Sequence, residues 1–271
     1  MSKAEAAYVA PGERIVTKSE ERRVIVASSV GTVFEWYDFY LYAILAPFFA
    51  GLFFPPGNQT AALLGAFGAY AAGFLIRPFG ALIFGRVGDL VGRKYTFLVT
   101  IVVMGVSTVL VGFMPTYATV GFAAPLILVT LRLAQGLALG GEYGGAATYV
   151  AEHAPDEKRG YATSWIQTTA TLGMFMALVI IGLCRYYMDA KVFSEWGWRI
   201  PFWFSIPLLI ISIYIRLKLQ ESPIFQRMKS QGKRSTQPLI DSFFRYPNNK
   251  YVAPALLGAT AGQGVVWYTG Q

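Results

Sequence analysis

Charge is scarce in this sequence. Asp, Glu, Lys and Arg make up 14% of the 271 residues, whereas an ordinary soluble domain carries roughly 25%. The shortage is concentrated: no charge occurs from Tyr95 to Leu131, from Tyr161 to Cys184, from Ile200 to Ile215 or from Tyr251 to Gln271. Stretches of about 20 apolar residues, at 1.5 Å rise each, match a bilayer core of roughly 30 Å. With 55% apolar residues and a mean hydropathy of +0.46, the chain reads as neither disordered nor a soluble nucleic-acid binder. Cysteine is almost missing too. The single Cys184 allows no internal disulfide and fits no zinc spacing, so a disulfide scaffold is excluded and the residue reads as a small core side chain. The one histidine, His153, has no nucleophile or metal-ligand spacing around it. Beside Glu152 it reads as a helix C-terminal contact, and neither an enzyme nor a bound cofactor is expected. What remains is a polytopic all-α membrane protein.

The apolar runs divide into six spans and the beginning of a seventh. The first covers Val24 to Phe54 and the second about Thr60 to Gly85. The charge-free stretch after Tyr95 must hold two helices, about Tyr95–Met114 and Gly121–Ala151, with a turn at Met114-Pro115-Thr116-Tyr117. Tyr161–Tyr187 makes a fifth, Trp198–Leu219 a sixth, and Val252–Gln271 starts a seventh. The first run is too long and too deep in the chain for a cleavable signal peptide. The resulting organisation is a tail over 1–23, a six-helix unit over 24–220, a loop over 221–251 and the start of helix 7 over 252–271.

Positive charge sets the sidedness. The tail, loop 2–3, loop 4–5 and the segment from Arg216 to Lys250 together carry eighteen Lys and Arg; the other face carries only Arg185, Lys191 and Arg199. The excess marks the cytoplasmic side, with anionic headgroups as neighbours. The net charge of +8 is therefore a topology signal and implies no nucleic acid. Trp196 and Trp198 sit where an interfacial aromatic belt would place them.

Five ionisable residues fall inside spans: Glu35 and Asp38 in the first, Arg77 in the second, Arg132 and Glu142 in the fourth. Each costs several kcal/mol at mid-membrane, which makes each a functional candidate. Glu35 and Asp38 are three residues apart and share a helical face. They lie roughly 17 and 21 Å from the start of the run, and Arg77 about 12 Å from the end of its own, so a long guanidinium could reach the pair. Two readings stand side by side: a carboxylate that exchanges protons beside an arginine that tunes it or holds an anion, or a permanent ion pair that orders the first two helices. Arg132 and Glu142 are ten apart, on nearly opposite sides of the helix, and should not pair with each other. Arg132 is a candidate anion or gating contact and Glu142 a candidate second proton site. Around Glu142, Gly136, Gly140, Gly141, Gly144 and Gly145 form small-xxx-small ladders that let helices approach closely in lipid. Pro47 and Pro78 are possible kinks.

Loop 2–3 reads Gly85-Arg-Val-Gly88-Asp89-Leu-Val-Gly92-Arg93-Lys94, and loop 4–5 holds Glu152, Asp156, Glu157, Lys158 and Arg159. The first has the wrong spacing for a phosphate-binding loop and no strand before it. A network of these charges with Glu221 could latch one conformation.

These segments resemble the major facilitator superfamily. Gly85–Lys94 is similar to its loop 2–3 signature and Arg132-Leu-Ala-Gln135-Gly136 to its helix 4 motif. Gly31–Phe39, Gly73–Gly80, Gly140-Gly-Glu142-Tyr-Gly and Trp196–Phe202 resemble the metabolite:proton symporter branch, whose members carry shikimate, α-ketoglutarate, citrate, and proline or betaine. The resemblance implies a six-helix N-terminal bundle of 3+3 inverted repeats and a truncated seventh helix. It also implies alternating access in a bacterial plasma membrane, with a small-molecule substrate, membrane lipids and the proton as coupling ion. By motif position Asp89, Arg93, Glu152, Arg159 and Glu221 form the gating latch. Arg77, Arg132, Arg199 and Tyr37 are the substrate contacts, and Glu35, Asp38 and Glu142 the proton sites. Family members have two six-helix halves with substrate between them, so the missing C-terminal half, or a second copy, is expected to be needed for function. A non-coupled facilitator or a transporter-derived sensor is the alternative.

Overall fold

The computed structural model describes residues 8–9, 15–16, 18–219, 221, 225–226, 230–231, 237–255 and 257. A two-residue antiparallel pair, Tyr8–Val9 with Ile15–Val16, precedes a bundle of long helices. Six helical stretches among the described residues are long and apolar enough to cross a membrane: Arg22–Phe53, Gln59–Val91, Arg93–Phe113, Ala123–His153, Arg159–Tyr187 and Gly197–Lys218. The six expected spans are all present, with ends moved by a few residues. Val252–Gln271 falls almost wholly outside the described residues, which include one short helix, Asn248–Pro254, at its start. The chain divides into two compact units, Met1–Arg227 and Met228–Gln271. In the second, Pro238–Phe243 and Asn248–Pro254 are short helices, and an Arg245–Asp241 ion pair of 2.8 Å holds the turn between them.

Helix α1 (Lys18–Phe53) is 36 residues long and runs unbroken through Pro47. Its inward edge is a stripe with four-residue spacing, Tyr37, Leu41, Leu45, Phe49 and Phe53, all fully buried. That stripe packs on Ala177, Ile181, Phe193, Trp198 and Phe202. Trp198, expected in an interfacial belt, is instead fully buried, edge-on to Phe49 and Phe53; Trp196 remains exposed. The second span breaks at Ile76 into α2 (Gln59–Leu75) and α3 (Arg77–Val91). Pro78 explains the break: it has no N–H to donate and its ring crowds the carbonyl one turn back. Asn58 caps α2, its side chain accepting from the Ala61 amide at 2.9 Å, which satisfies one of the free N–H groups of the first turn.

Gly92 alone separates α3 from α4 (Arg93–Phe113). Its φ of +130° is a region that side chains avoid. A short helix α5 (Tyr117–Val120) follows, then α6 (Ala123–His153) and, after one 3₁₀ turn, α7 (Arg159–Tyr187). The sixth span starts as a 3₁₀ turn (Gly197–Arg199) after α8 (Ala190–Glu195). It continues as α9 (Ile200–Trp203) and α10 (Ser205–Lys218). Across α6 from the second span, the missing side chains of Gly136 and Gly140 let the carbonyls of Gly73 and Arg77 lie directly against the helix. The ladder is thus a tight backbone contact, as small residues permit in lipid. Outward-facing apolar side chains such as Leu64, Leu75, Phe113, Leu126, Phe175 and Ile210 stay exposed. On an aqueous surface such a collection would be a liability. On a membrane-spanning bundle such a surface can face acyl chains or further helices.

Candidate translocation site

Antiparallel helices stack the buried polar groups in two levels. The level further from the basic end centres on Asp38. Gln135 Nε2 donates to both carboxylate oxygens of Asp38 at 3.1 Å and to Thr108 Oγ1 at 2.8 Å. Arg132 Nη1 lies 3.6 Å from Asp38 Oδ2, and its guanidinium covers the Tyr42 ring at 3.8 Å. Tyr42 is held in turn by its hydroxyl, which donates to the Ala66 carbonyl at 3.0 Å. Asp38, Gln135 and Arg132 are all buried, so their mutual attraction acts in a low dielectric. Asp38, Phe39, Tyr70, Phe74, Arg77, Arg132 and Gln135 line a narrow cleft of about 20 Å³. The Arg77 guanidinium lies over the Phe74 ring at 4.0 Å and near that of Phe39 at 5.2 Å, a cation–π seat.

The level nearer the basic end centres on Arg216. Its Nη2 is ion-paired to Glu142 Oε1, and its Nη1 donates to the Phe97 carbonyl at 3.0 Å. Thr100 Oγ1 donates to the other Glu142 oxygen at 2.8 Å. The guanidinium fits because Gly31 has no side chain there. Glu35, one helical turn above Gly31 on the same face, is buried, and its Oε1 has no hydrogen-bond partner among the described residues.

Arg216 is the largest departure from the sequence reading, which counted it with the loop charges. It is 4% exposed, which removes it from the basic loops and adds a sixth charge to the bundle. Arg132 is ion-paired to Asp38, and Arg77 lines the same cleft. Arg132 and Glu142 are paired to different partners, Asp38 and Arg216; the two are only about 80° apart around the helix, and their separation of about 15 Å along it, not opposite faces, keeps them apart. Tyr37 and Arg199 lie outside the cleft. The Tyr37 hydroxyl donates to the Pro201 carbonyl at 2.6 Å, fully buried. Arg199 reaches the Met114 carbonyl at 3.2 Å and stacks on Trp198 at 4.4 Å, so it staples the sixth span to the end of α4. Gln135, Thr100 and Thr108 were not singled out. Gln135 carried a signal nonetheless: it lies seven residues from Glu142, hence on the same face of α6.

At the basic rim, four of the five latch candidates meet. Arg93 Nη2 is 3.0 Å from Glu152 Oε1 and 3.9 Å from Asp89 Oδ1. Glu221 accepts from the Arg93 and Lys94 amides at 3.1 and 3.3 Å, a carboxylate placed on the free N–H groups and positive dipole end of α4. The carboxylate occupies the space that a side chain on Gly92 would fill. Arg159 bonds the Ala151 carbonyl at 3.1 Å and so closes the end of α6. His153 makes the expected C-terminal contact, Nδ1 to the Tyr149 carbonyl at 2.8 Å.

Buried acid–arginine pairs beside an open cleft, in a six-span bundle, match a known family. Residues 24–245 match the family described as sugar (and other) transporter. The chain belongs to this branch of the major facilitator superfamily. Among its relatives, the inner membrane metabolite transport protein YhjE of Escherichia coli K12 is 44% identical over 82% of this chain and 50% of its own length. The proline/betaine transporter of Salmonella typhimurium is 40% identical over 79% of this chain and 43% of its own. The shikimate transporter of E. coli K12 is 38% identical over 88% and 55%. The chain therefore spans about half the length of the curated relatives it matches. The fold agrees with that of the E. coli xylose transporter XylE in a partially occluded inward-open conformation. The TM-score is 0.71 at 19% identity, over 80% of this chain and 52% of XylE.

Proposed function

We propose that this major facilitator bundle is the N-terminal half of a proton-coupled symporter for a small carboxylate or zwitterion, working by alternating access in a bacterial inner membrane. The observation that carries the reading is the Asp38–Arg132–Gln135 cluster opening on a cleft that also holds Arg77. Two guanidiniums facing one carboxylate suit an anionic group, and the aromatic wall suits a small organic body. The relatives named for proline/betaine, shikimate and α-ketoglutarate support the same substrate class, since each of those solutes carries a carboxylate.

In this mechanism Asp38, Glu35 and Glu142 are the candidate proton sites, Arg132 and Arg77 hold the solute, and binding neutralises charge so that the cavity can close dry. Asp89, Arg93, Glu152, Arg159 and Glu221 hold the basic end closed, and the second six-helix half completes the cavity. The Lys and Arg excess supports a cytoplasmic tail and long loop. The test is uptake by the complete carrier in proteoliposomes: Asp38→Asn is expected to lose uphill accumulation at least a hundredfold while retaining exchange. Wild-type accumulation by this variant overturns the reading. A facilitator is favoured by one feature, the completeness of the Asp38 hydrogen bonding, which would equally suit a permanent pair. Uptake unchanged by an uncoupler would decide for it.

A further inference from the structure

Gln135 and Arg132 lie three residues apart on α6, hence on one face, and both line the narrow cleft. Each is buried, at 2% and 5% exposure. The Gln135 amide can face only one way. Its Nε2 lies 3.1 Å from both oxygens of Asp38, and an ionised carboxylate accepts hydrogen bonds without donating any. Oε1 is therefore the opposite end of the amide, and it has no hydrogen-bond partner among the described residues. Arg132 directs Nη1 to Asp38, while its Nε and Nη2 also lack hydrogen-bond partners among the described residues. Buried polar atoms are normally satisfied, so each exception calls for an explanation. Here donors and an acceptor occur together on neighbouring side chains, at a cleft whose volume of about 20 Å³ admits a single water-sized group. Asp38, the one acid of the lining, is already engaged by both residues.

We propose that this slot takes a hydroxyl group of the substrate, so that the solute is a hydroxylated carboxylate and Gln135 sets that specificity. The inference rests on the symporter reading and narrows its substrate class. A hydroxyl both accepts and donates: it takes hydrogen bonds from Arg132 and gives one to Gln135 Oε1. No other small group does both. A carboxylate oxygen satisfies Arg132 and leaves Oε1 against an anion. An ammonium satisfies Oε1 and stands against a guanidinium, and a methyl group, as in a betaine, satisfies neither. The carboxylate of the solute is left to Arg77, the second guanidinium of the lining, and its carbon skeleton to Phe39, Tyr70 and Phe74. Selection of this kind is sharp, because a solute without the hydroxyl leaves buried polar groups unsatisfied on the protein.

The experiment is isothermal titration calorimetry on the complete purified carrier with matched pairs of acids: shikimate and cyclohex-1-enecarboxylate, malate and succinate, lactate and propionate, with proline beside them. In each pair the hydroxylated member is the larger, so steric exclusion does not favour it. At least one hydroxy acid is expected to bind about tenfold or more tightly than its match, and Gln135→Met is expected to bring that ratio close to one. Equal affinities within every pair, or a preference that survives Gln135→Met, overturns the proposal. Binding of proline alone overturns it too, while the symporter reading keeps its zwitterion; binding of none of these solutes overturns both. Should Gln135→Met fail to fold, a structure of the unmodified carrier with its tightest-binding hydroxy acid decides. A substrate hydroxyl within about 3 Å of Oε1 supports the proposal, and a water there with the hydroxyl elsewhere overturns it.

Discussion

The mid-bundle charges and the rim charges use the same residue types and behave as different materials. Arg216 and Glu142 sit at 5% and 1% side-chain exposure, Arg93 and Glu152 at 19% and 11%, and Asp89 at 48%. In the bundle a charge has no water to return to, so each carboxylate is tied to a particular donor: Asp38 to Gln135 and Arg132, Glu142 to Thr100 and Arg216. At the rim Asp89 is half exposed and Arg93 and Glu152 are partly so, and water competes for these pairs more than it does inside the bundle. A membrane carrier needs both: fixed sites that sense ligands, and a weak lattice that lets go.

Removing one member of a deep pair gives the sharpest contrast. Arg132→Ala leaves Asp38 buried beside Gln135 with its cation gone, and breaking a buried pair in this way costs about 3–5 kcal/mol. On the proposed function, loss of substrate binding by the complete carrier is expected with it. The Arg132→Ala, Asp38→Asn double variant is expected to be more stable than Arg132→Ala alone in thermal unfolding in detergent. If the double is worse, the two do not compensate each other.

The Arg216–Glu142 pair should behave in the same way despite its position near the end of the sixth span. Either Arg216→Met or Glu142→Gln alone is expected to destabilise by about 3–5 kcal/mol, and the two together by much less than the sum. The matching cycle on Arg93 and Glu152 should show coupling of only about 0–1 kcal/mol. Equal coupling energies in the two cycles would abolish the distinction between bundle and rim.

How much of this was legible in the sequence follows the same division. The spans were readable because a bilayer demands about 20 apolar residues whatever the partners are, and the charge-free runs satisfied that demand within a few residues at each end. The charges inside the runs announced themselves for the same reason. Arg216 did not, because it lies two residues before Lys218 at the end of an apolar run and looks like loop charge. Its burial depends on α10 meeting the gap at Gly31, a tertiary fact. Trp198 was misplaced likewise: its aromatic type suits an interface, and only the ring of Phe49, Phe53 and Phe202 around it shows that it is core. Thr100, Thr108 and Gln135 are neutral and break no composition rule, so pairing them with acids required the register of α4 against α6.

Backbone contact gives an intermediate effect. Gly140→Val places a branched side chain against the Arg77 carbonyl, where backbone cannot yield as a side chain would. A cost of about 1–3 kcal/mol is expected from such overpacking, and Arg77 itself should shift, weakening substrate affinity more than Gly144→Val, whose position has open space. Equal affinities in the two variants would separate the cleft from the glycine contact.

The smallest effect on stability belongs to the rim, where it has the largest consequence for conformation. Glu221→Ala removes the carboxylate from the Arg93 and Lys94 amides and should cost about 0.5–2 kcal/mol, the worth of a helix cap. Arg93→Ala should cost about 1 kcal/mol, and somewhat less at high salt, where partly exposed charges are screened. Yet a conformational equilibrium near balance moves about tenfold for each 1.4 kcal/mol, so either variant should shift the complete carrier toward the form open at the basic end. Accessibility of a cysteine introduced at Thr148, on the cleft that also holds Asp89 and Arg93, measures that shift. It should rise several-fold in both variants, and more in Glu221→Ala. If labelling stays at the wild-type rate while stability falls, the rim charges only brace the bundle and the deep pairs alone set its conformation.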